Sequence, residues 1–275
     1  MWVIAAVLSA FFLSIRDVST KSSKINGLKS AYFTLLIIQP LSLIIILYNG
    51  FQWFEFKLLK ILLIASLLDS LAIVAYSYAI KAGKVSASAP ILCLIPVFQL
   101  GINFGWYGEV PSFLSLSGVV LSIVFVMYSY KFNVRNMLSN LSSLLMVCVA
   151  FCWAISSIFH KNGAQVLDPI LWTCLVVSTS YVLVTFYIFV FTKEDLSTEE
   201  IQMNIVTSLA HFMTLITFYW ASSLGNVAFV SVIRRLSALF SALFATILLK
   251  ETVSNRQWVG IVGVMLGASL VVLGA

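Results

Sequence analysis

The segment Gly225 to Glu251, GNVAFVSVIRRLSALFSALFATILLKE, constrains this chain more than any other. It is long enough to cross a bilayer as one helix, for which about 20 residues suffice. About a third of the way along it carries two adjacent arginines, Arg234 and Arg235. A charge at that depth costs roughly 2.5–3.5 kcal/mol on insertion scales, so it must face water or a partner. The segment has an echo 142 positions earlier, in Gly83 to Glu109 (GKVSASAPILCLIPVFQLGINFGWYGE). Gly225 falls on Gly83, Val227 on Val85 and Glu251 on Glu109. Trp220-Ala221 falls on Tyr78-Ala79, and Gly260 on Gly118. Spaced matches of this kind point to a duplicated unit.

The rest of the composition fits only one solvent. Of 275 residues 61% are hydrophobic and 9% charged, and mean hydropathy is +1.06. Soluble domains carry about 25% charged residues. The chain is therefore read as an integral membrane protein. Its pI near 9.2 does not point to nucleic acid, because the basic residues lie in short loops between apolar runs. The expected surroundings are the lipid bilayer of a cell membrane, crossed many times, and that membrane is the inner one if the source is a Gram-negative bacterium. Cys93, Cys148, Cys152 and Cys174 all sit in apolar runs. Cys148 and Cys152 share a helix face, but no nearby His or acid completes a metal site, so packing is the reading taken.

Ten helices are predicted. Helix 1 runs to about Thr20 with Arg16 snorkelling at its end, and helix 2 spans about 28–48 with Pro40 inside it. Helix 3, about 57–80, holds Asp69, an acid in mid-span, and Tyr76 seven residues later on the same face. Helix 4, about 85–107, contains Pro90 and Pro96, which break the backbone ladder and free carbonyls near mid-membrane. Helix 5 spans about 113–130. After the connector 131–140 come helix 6 (about 141–160), helix 7 (169–191), helix 8 (201–223), helix 9 in the opening segment, and helix 10 (256–273). Ser197-Thr-Glu-Glu200 and Ser254-Asn-Arg-Gln257 read as capping boxes. Trp53 and Phe54 suit the headgroup level, while His160 and Lys161 at a predicted helix end are read as interfacial.

Five spans per half turn the second half upside down. The fold class expected is all-α: a polytopic membrane protein of ten transmembrane helices built from two inverted five-helix repeats, residues 1–135 and 136–275. Such repeats place a site near the midplane, where it can be exposed to each side in turn.

Two stretches carry a family resemblance. One is Tyr76-Ser-Tyr-Ala-Ile-Lys-Ala-Gly83, Ala89-Pro90-Ile, Pro96-Val-Phe and Gly108-Glu109. The other is Tyr219-Trp-Ala-Ser-Ser-Leu-Gly225, Arg234-Arg-Leu-Ser-Ala-Leu-Phe240, Lys250-Glu251 and Gly260. In these the chain resembles the ten-helix EamA-type branch of the drug/metabolite transporter (DMT) superfamily. The resemblance implies transmembrane transport of a metabolite and leaves the substrate open, since the branch handles amino acids, nucleobases, sugars and drugs. Many members have a proline in helix 9 where this chain has Ala238. The related sugar-phosphate translocators hold a phosphate with a basic pair in their ninth helix, and Arg234 and Arg235 are similar in placement.

The candidate substrate-binding residues are Arg234, Arg235, Tyr76, Tyr78, Trp220 and Trp153. Guanidinium suits bidentate binding of carboxylate or phosphate. The arginines are 100° apart on a helix, so one can face a cavity while the other snorkels, pairs with Asp69 or bonds backbone carbonyls. Asp69 is either a proton-coupling carboxylate or the fixed counter-ion of an arginine. His211, 142 positions after Asp69, is a second proton candidate against a plain buried histidine. No nucleophile–base pair, metal cluster or cofactor motif is present, so no catalytic residue, metal or cofactor is assigned. The function expected is a secondary transporter of a small polar metabolite, anionic or zwitterionic. The alternatives are a flippase for a lipid-linked or amphiphilic substrate, or a non-transporting membrane scaffold. The Gly263–Gly267 strip of helix 10 is the candidate homodimer or partner surface.

The loops between helices 1–2, 3–4, 5–6, 7–8 and 9–10 hold eleven Lys and Arg, counted from Arg16 to Arg256, and the other face holds Lys57, Lys60 and Lys161. The positive-inside rule then puts both termini outside, whereas the resemblance implies cytoplasmic termini. The count is a property of this chain and is the reading taken.

Overall fold

The computed structural model describes residues 1–49, 56–107, 110–129, 140–192, 197–224 and 227–274. Lipid offers backbone groups no hydrogen-bond partner, so each apolar run must close its bonds internally as a helix. The outcome is α1 (Trp2–Ser22), α2 (Gly27–Tyr48), α3 (Phe56–Ala82), a composite α4 (85–107), α5 (Phe113–Ser129), α6 (Leu141–Val166), α7 (Pro169–Tyr187, prolonged by a π-helical turn Ile188–Thr192), α8 (Thr198–Leu224), a composite α9 (227–248) and α10 (Asn255–Leu273). No strand occurs among the described residues. Nine of these segments are long and apolar enough to cross a membrane, and α5 is a shorter apolar helix of 17 residues. Trp53, Phe54, the Gly108-Glu109 turn, the connector 131–139 and Gly225 lie outside the described residues.

Helix ends follow local polar chemistry. The Asn26, Asn140 and Asp168 side chains accept from backbone N–H groups of the turns that follow them, as N-caps do. Ser197 with Glu200, and Ser254 with Gln257, close reciprocal boxes. Two helices outrun their apolar stretch. α1 extends to Ser22, and α6 continues past His160 through Lys161-Asn-Gly-Ala-Gln to Val166. α2 continues through Pro40 as one helix.

Hydrogen bonds between helix ends fix the direction of each half. Lys21 Nζ, at the end of α1, donates to the carbonyls of Lys81 and Gly83 at the end of α3, at 2.8 and 2.6 Å. Ser142 Oγ, at the start of α6, donates to the Ala79 carbonyl of α3 at 2.6 Å. The end of α1 and the start of α6 thus share one face, here called the basic face. The two halves therefore run in opposite directions through the bundle. On the opposite, termini face, Ser115 at the start of α5 donates to the Val271 carbonyl near the end of α10 at 3.0 Å.

Packing repeats the same symmetry. α3 lies on α6, and α8 lies on α1, which is the same pairing with the halves exchanged. α3 on α7 matches α8 on α2. α2 packs on its counterpart α7, and α5 on its counterpart α10. Small and polar residues hold these seams, as expected where no hydrophobic force drives helices together. Asn204 of α8 donates to the Ser30 carbonyl and Thr34 Oγ1 of α2 at 3.1 and 3.0 Å, and accepts from Ser30 Oγ at 3.1 Å. Along α10 the glycine strip is filled from within the chain. A Cβ on Gly267 would stand 2.8 Å from the Gly118 carbonyl, and one on Gly263 would overlap the Phe125 ring of α5. The strip expected to serve a second copy or a partner is thus occupied by α5 of the same chain.

α4 and α9 are both broken, at matching places. α4 passes from an α-turn (Val85–Ser88) through a 3₁₀ stretch (Ala89–Leu94) into an α-helix (Ile95–Tyr107). α9 consists of Val227–Arg234 and Leu236–Leu248, parted at Arg235. Position 235 corresponds to Cys93, one residue before the 3₁₀ stretch of α4 ends.

Candidate functional site

The breaks open the centre of the bundle. Between α1, α2, α3, α4, α6, α7, α8 and α9 lies a cavity of about 60 Å³. On that measure about 10–15 Å³ holds one water, so the cavity has room for a few waters among its side chains. Its walls include Arg16, Asp69, Gln99, Trp153, His160, His211, Tyr219, Arg234 and Arg235. A smaller hollow of about 30 Å³ shares Ser157, His160, Phe218 and Tyr219 with it and reaches Lys161 and Gln165 near the termini face.

The twin arginines have different tasks. Arg235 is buried, and its Nε donates to the Ser231 carbonyl one turn back at 3.1 Å while Nη1 donates to the Leu92 carbonyl. Leu92 belongs to the 3₁₀ stretch of α4. A carbonyl released by one broken helix is thus satisfied by the arginine at the break of the other. Arg234 has no such anchorage. Its guanidinium lies over the Phe218 ring, 4.3 Å from the centroid, and its buried Nε has no hydrogen-bond partner among the described residues.

A third guanidinium joins them. Arg16, expected to snorkel, is 2% exposed and lies over the Tyr76 ring at 4.1 Å. Its Nη2 is also without a hydrogen-bond partner among the described residues. The physical reason is the extra length of α1, which leaves Arg16 more than a turn inside the helix end. Its neighbour Asp17 is buried and accepts from Ser241 Oγ of α9.

Asp69 is paired, and its partner is not an arginine. His160 Nε2 stands 2.9 Å from Asp69 Oδ2, and Trp172 Nε1 donates to His160 Nδ1 at 3.2 Å. Indole N–H is only a donor. Nδ1 must therefore accept, the proton of a neutral ring sits on Nε2, and that N–H donates to the carboxylate. His160, read as interfacial, is 5% exposed within the bundle. The correction has the same cause as for Arg16, since α6 continues six residues beyond it. His211 is buried on the cavity wall with Nδ1 unpartnered among the described residues.

Of the predicted residues, Arg234, Arg235, Trp153, Asp69 and His211 line the cavity. Tyr76 is buried behind it, with its ring 5.5 Å from that of Trp153 and beneath Arg16. Tyr78 and Trp220 face outward, 40% and 46% exposed. The helical wheel explains both corrections. Tyr78 is 200° from Tyr76, and Trp220 is 100° from Tyr219, so the buried member of each pair turns the other away.

Polar ties cross the basic face. Glu251, between α9 and α10, accepts from the N–H groups of Val85 and Ser86 at 3.0 and 3.1 Å and from Ser86 Oγ at 2.9 Å. The carboxylate thereby caps the start of α4, where unpaired N–H groups and the helix dipole favour negative charge. Lys29 pairs with Glu200 at 3.0 Å, and Lys81 Nζ donates to the Ser23 carbonyl at 2.8 Å.

An inverted ten-helix bundle with broken helices meeting at a charged central cavity is the architecture of a membrane transporter. The family model for EamA-like transporters matches residues 1–130 and 140–273. The chain therefore belongs to the EamA-like transporter family, and it is a membrane transporter of the drug/metabolite type. Among solved structures, one described only as the crystal structure of a protein is similar with TM-score 0.63 at 14% identity, over 98% of this chain and 99% of that one. That likeness is one of fold. No curated protein matches the sequence.

Proposed function

We propose that the protein is a secondary transporter of a small anionic or zwitterionic metabolite, working by alternating access at the cavity between the repeats. The observation that carries this reading is the pair Arg16 and Arg234, one buried and one half-buried, both lining the cavity and each with a buried nitrogen unpartnered among the described residues. Asp69 is the one carboxylate among the described lining residues. Buried charge is costly unless paired; the three arginines outnumber the nearby carboxylates Asp17 and Asp69, and a bound carboxylate or phosphate offsets the excess with bidentate hydrogen bonds. The polar ties across the basic face fit a state whose basic side must loosen before a metabolite can pass there.

The test is uptake into proteoliposomes of a panel of labelled carboxylates and phosphate esters. Arg234→Ala should lower uptake of the transported anion at least ten-fold with little change in thermal stability. Unaltered uptake in both Arg234→Ala and Arg16→Ala would retire the reading.

A further inference from the structure

We infer that Asp69 and His160 form the proton-carrying pair of this transporter, that Trp172 fixes which atom receives the proton, and that proton and anion cross in the same direction. The inference rests on the transport reading above.

Trp172 Nε1–H occupies His160 Nδ1, and His160 Nε2–H occupies Asp69 Oδ2. An incoming proton cannot lodge on the imidazole without displacing the indole. The remaining place is Asp69 Oδ1, which has no hydrogen bond among the described residues. One proton binds there from water on one side and later leaves to water on the other, and no other bond is made or broken. His160 keeps its tautomer throughout and holds the carboxyl in place.

The surroundings set the sign of the coupling. Asp69 is faced by Arg16 from α1, Cys152 from α6, Tyr219 and His211 from α8 and Arg234 from α9, while α7 contributes Trp172. Protonating Asp69 removes one of the two negative charges near these guanidinium groups, the other being the buried Asp17 beside Arg16, and leaves more of their field for an anion. A bound anion in turn favours the neutral carboxyl. Such coupling is reciprocal, so the two load and unload together. The hollow at His160 that reaches Lys161 gives protons a way in from the termini face.

The chain has two histidines, so His211→Gln leaves His160 as the sole imidazole. ¹⁵N NMR of that variant in lipid should show the Nε2–H tautomer alone. Adding Trp172→Phe should give mixed tautomers. An Nδ1–H ring, or a spectrum indifferent to Trp172, overturns the lock. In proteoliposomes containing a pH dye, labelled succinate, lactate, glutamate and glycerol phosphate serve as probes. An inward proton gradient should speed uptake of the accepted probe at least five-fold and acidify the lumen as the anion enters. Asp69→Asn should abolish the gradient response while leaving downhill exchange measurable. A gradient response that survives in Asp69→Asn, or proton movement against the anion, overturns this inference and spares the transport reading. No uptake of any probe by the wild-type protein overturns both.

Discussion

α4 and α9 are the same helix made twice, and each breaks at the same depth by different chemistry. In α4 the break follows from Pro90 and Pro96, which remove donors and leave a 3₁₀ stretch. In α9 the cavity-side break carries no proline, and Arg235 stands at it. Leu92 and Cys93 occupy the places of Arg234 and Arg235. One copy therefore supplies a bare carbonyl, and the other supplies the cation that covers it. The difference shows what the duplication kept and what it did not. The backbone break was kept in both copies. Charge was not kept: the first copy brings Arg16, Asp17 and Asp69, and the second His160, His211, Arg234 and Arg235.

The largest effect that would break this comparison is expected at Arg235. Arg235→Ala orphans the Leu92 carbonyl, at a cost of about 1–3 kcal/mol for a buried unsatisfied group, and uncouples the two breaks. Its melting temperature in detergent should fall well below that of Arg234→Ala, which should lose uptake instead. Equal stability of the two variants would mean the arginines do not divide their tasks. Next is Glu251→Ala, which uncaps α4. Loss of such a cap costs about 0.5–2 kcal/mol, and the basic face should open more often. Cysteine labelling at a residue lining the cavity, from the basic face, should accelerate. The smallest effect is expected for Ala238→Pro, which places in α9 the proline that α4 has at Pro96. Ala238 N–H already bonds only the Arg235 carbonyl, at 3.0 Å in the first turn after the break, and prolines are tolerated there. It should cost about 1 kcal/mol or less, whereas Ala242→Pro, one turn deeper, should cost about 3 kcal/mol or more.

The repeat, the ten spans and the place of Arg234 on the central cavity were legible because each rests on spacing or on the cost of a charge in lipid. Arg16 and His160 were not legible. Both stand where an apolar run gives way to polar residues, and such a boundary resembles a membrane surface. In the bundle those polar stretches continue as helix, because helices can outrun the hydrophobic slab when neighbours cover them. The one sequence signal available for His160 was its i, i+12 relation to Trp172, which has no meaning until α6 and α7 are folded together. Tyr78 and Trp220 follow a simpler rule: the helix turns 100° at every residue, so an aromatic one or two places from a buried one points away from it.

The exchange of partners between halves also bears on how the protein is made. α3 rests on α6, and α1 on α8, so the first half leaves the ribosome before the helices that shelter Asp69 and Arg16 have been synthesised. Each early helix must enter the bilayer carrying an unsheltered charge, and neither half is a finished body alone. Split at the central connector and expressed as two pieces, the protein should assemble only when both are present in one membrane. A nascent chain arrested after α5 should be cleared by quality control rather than accumulate.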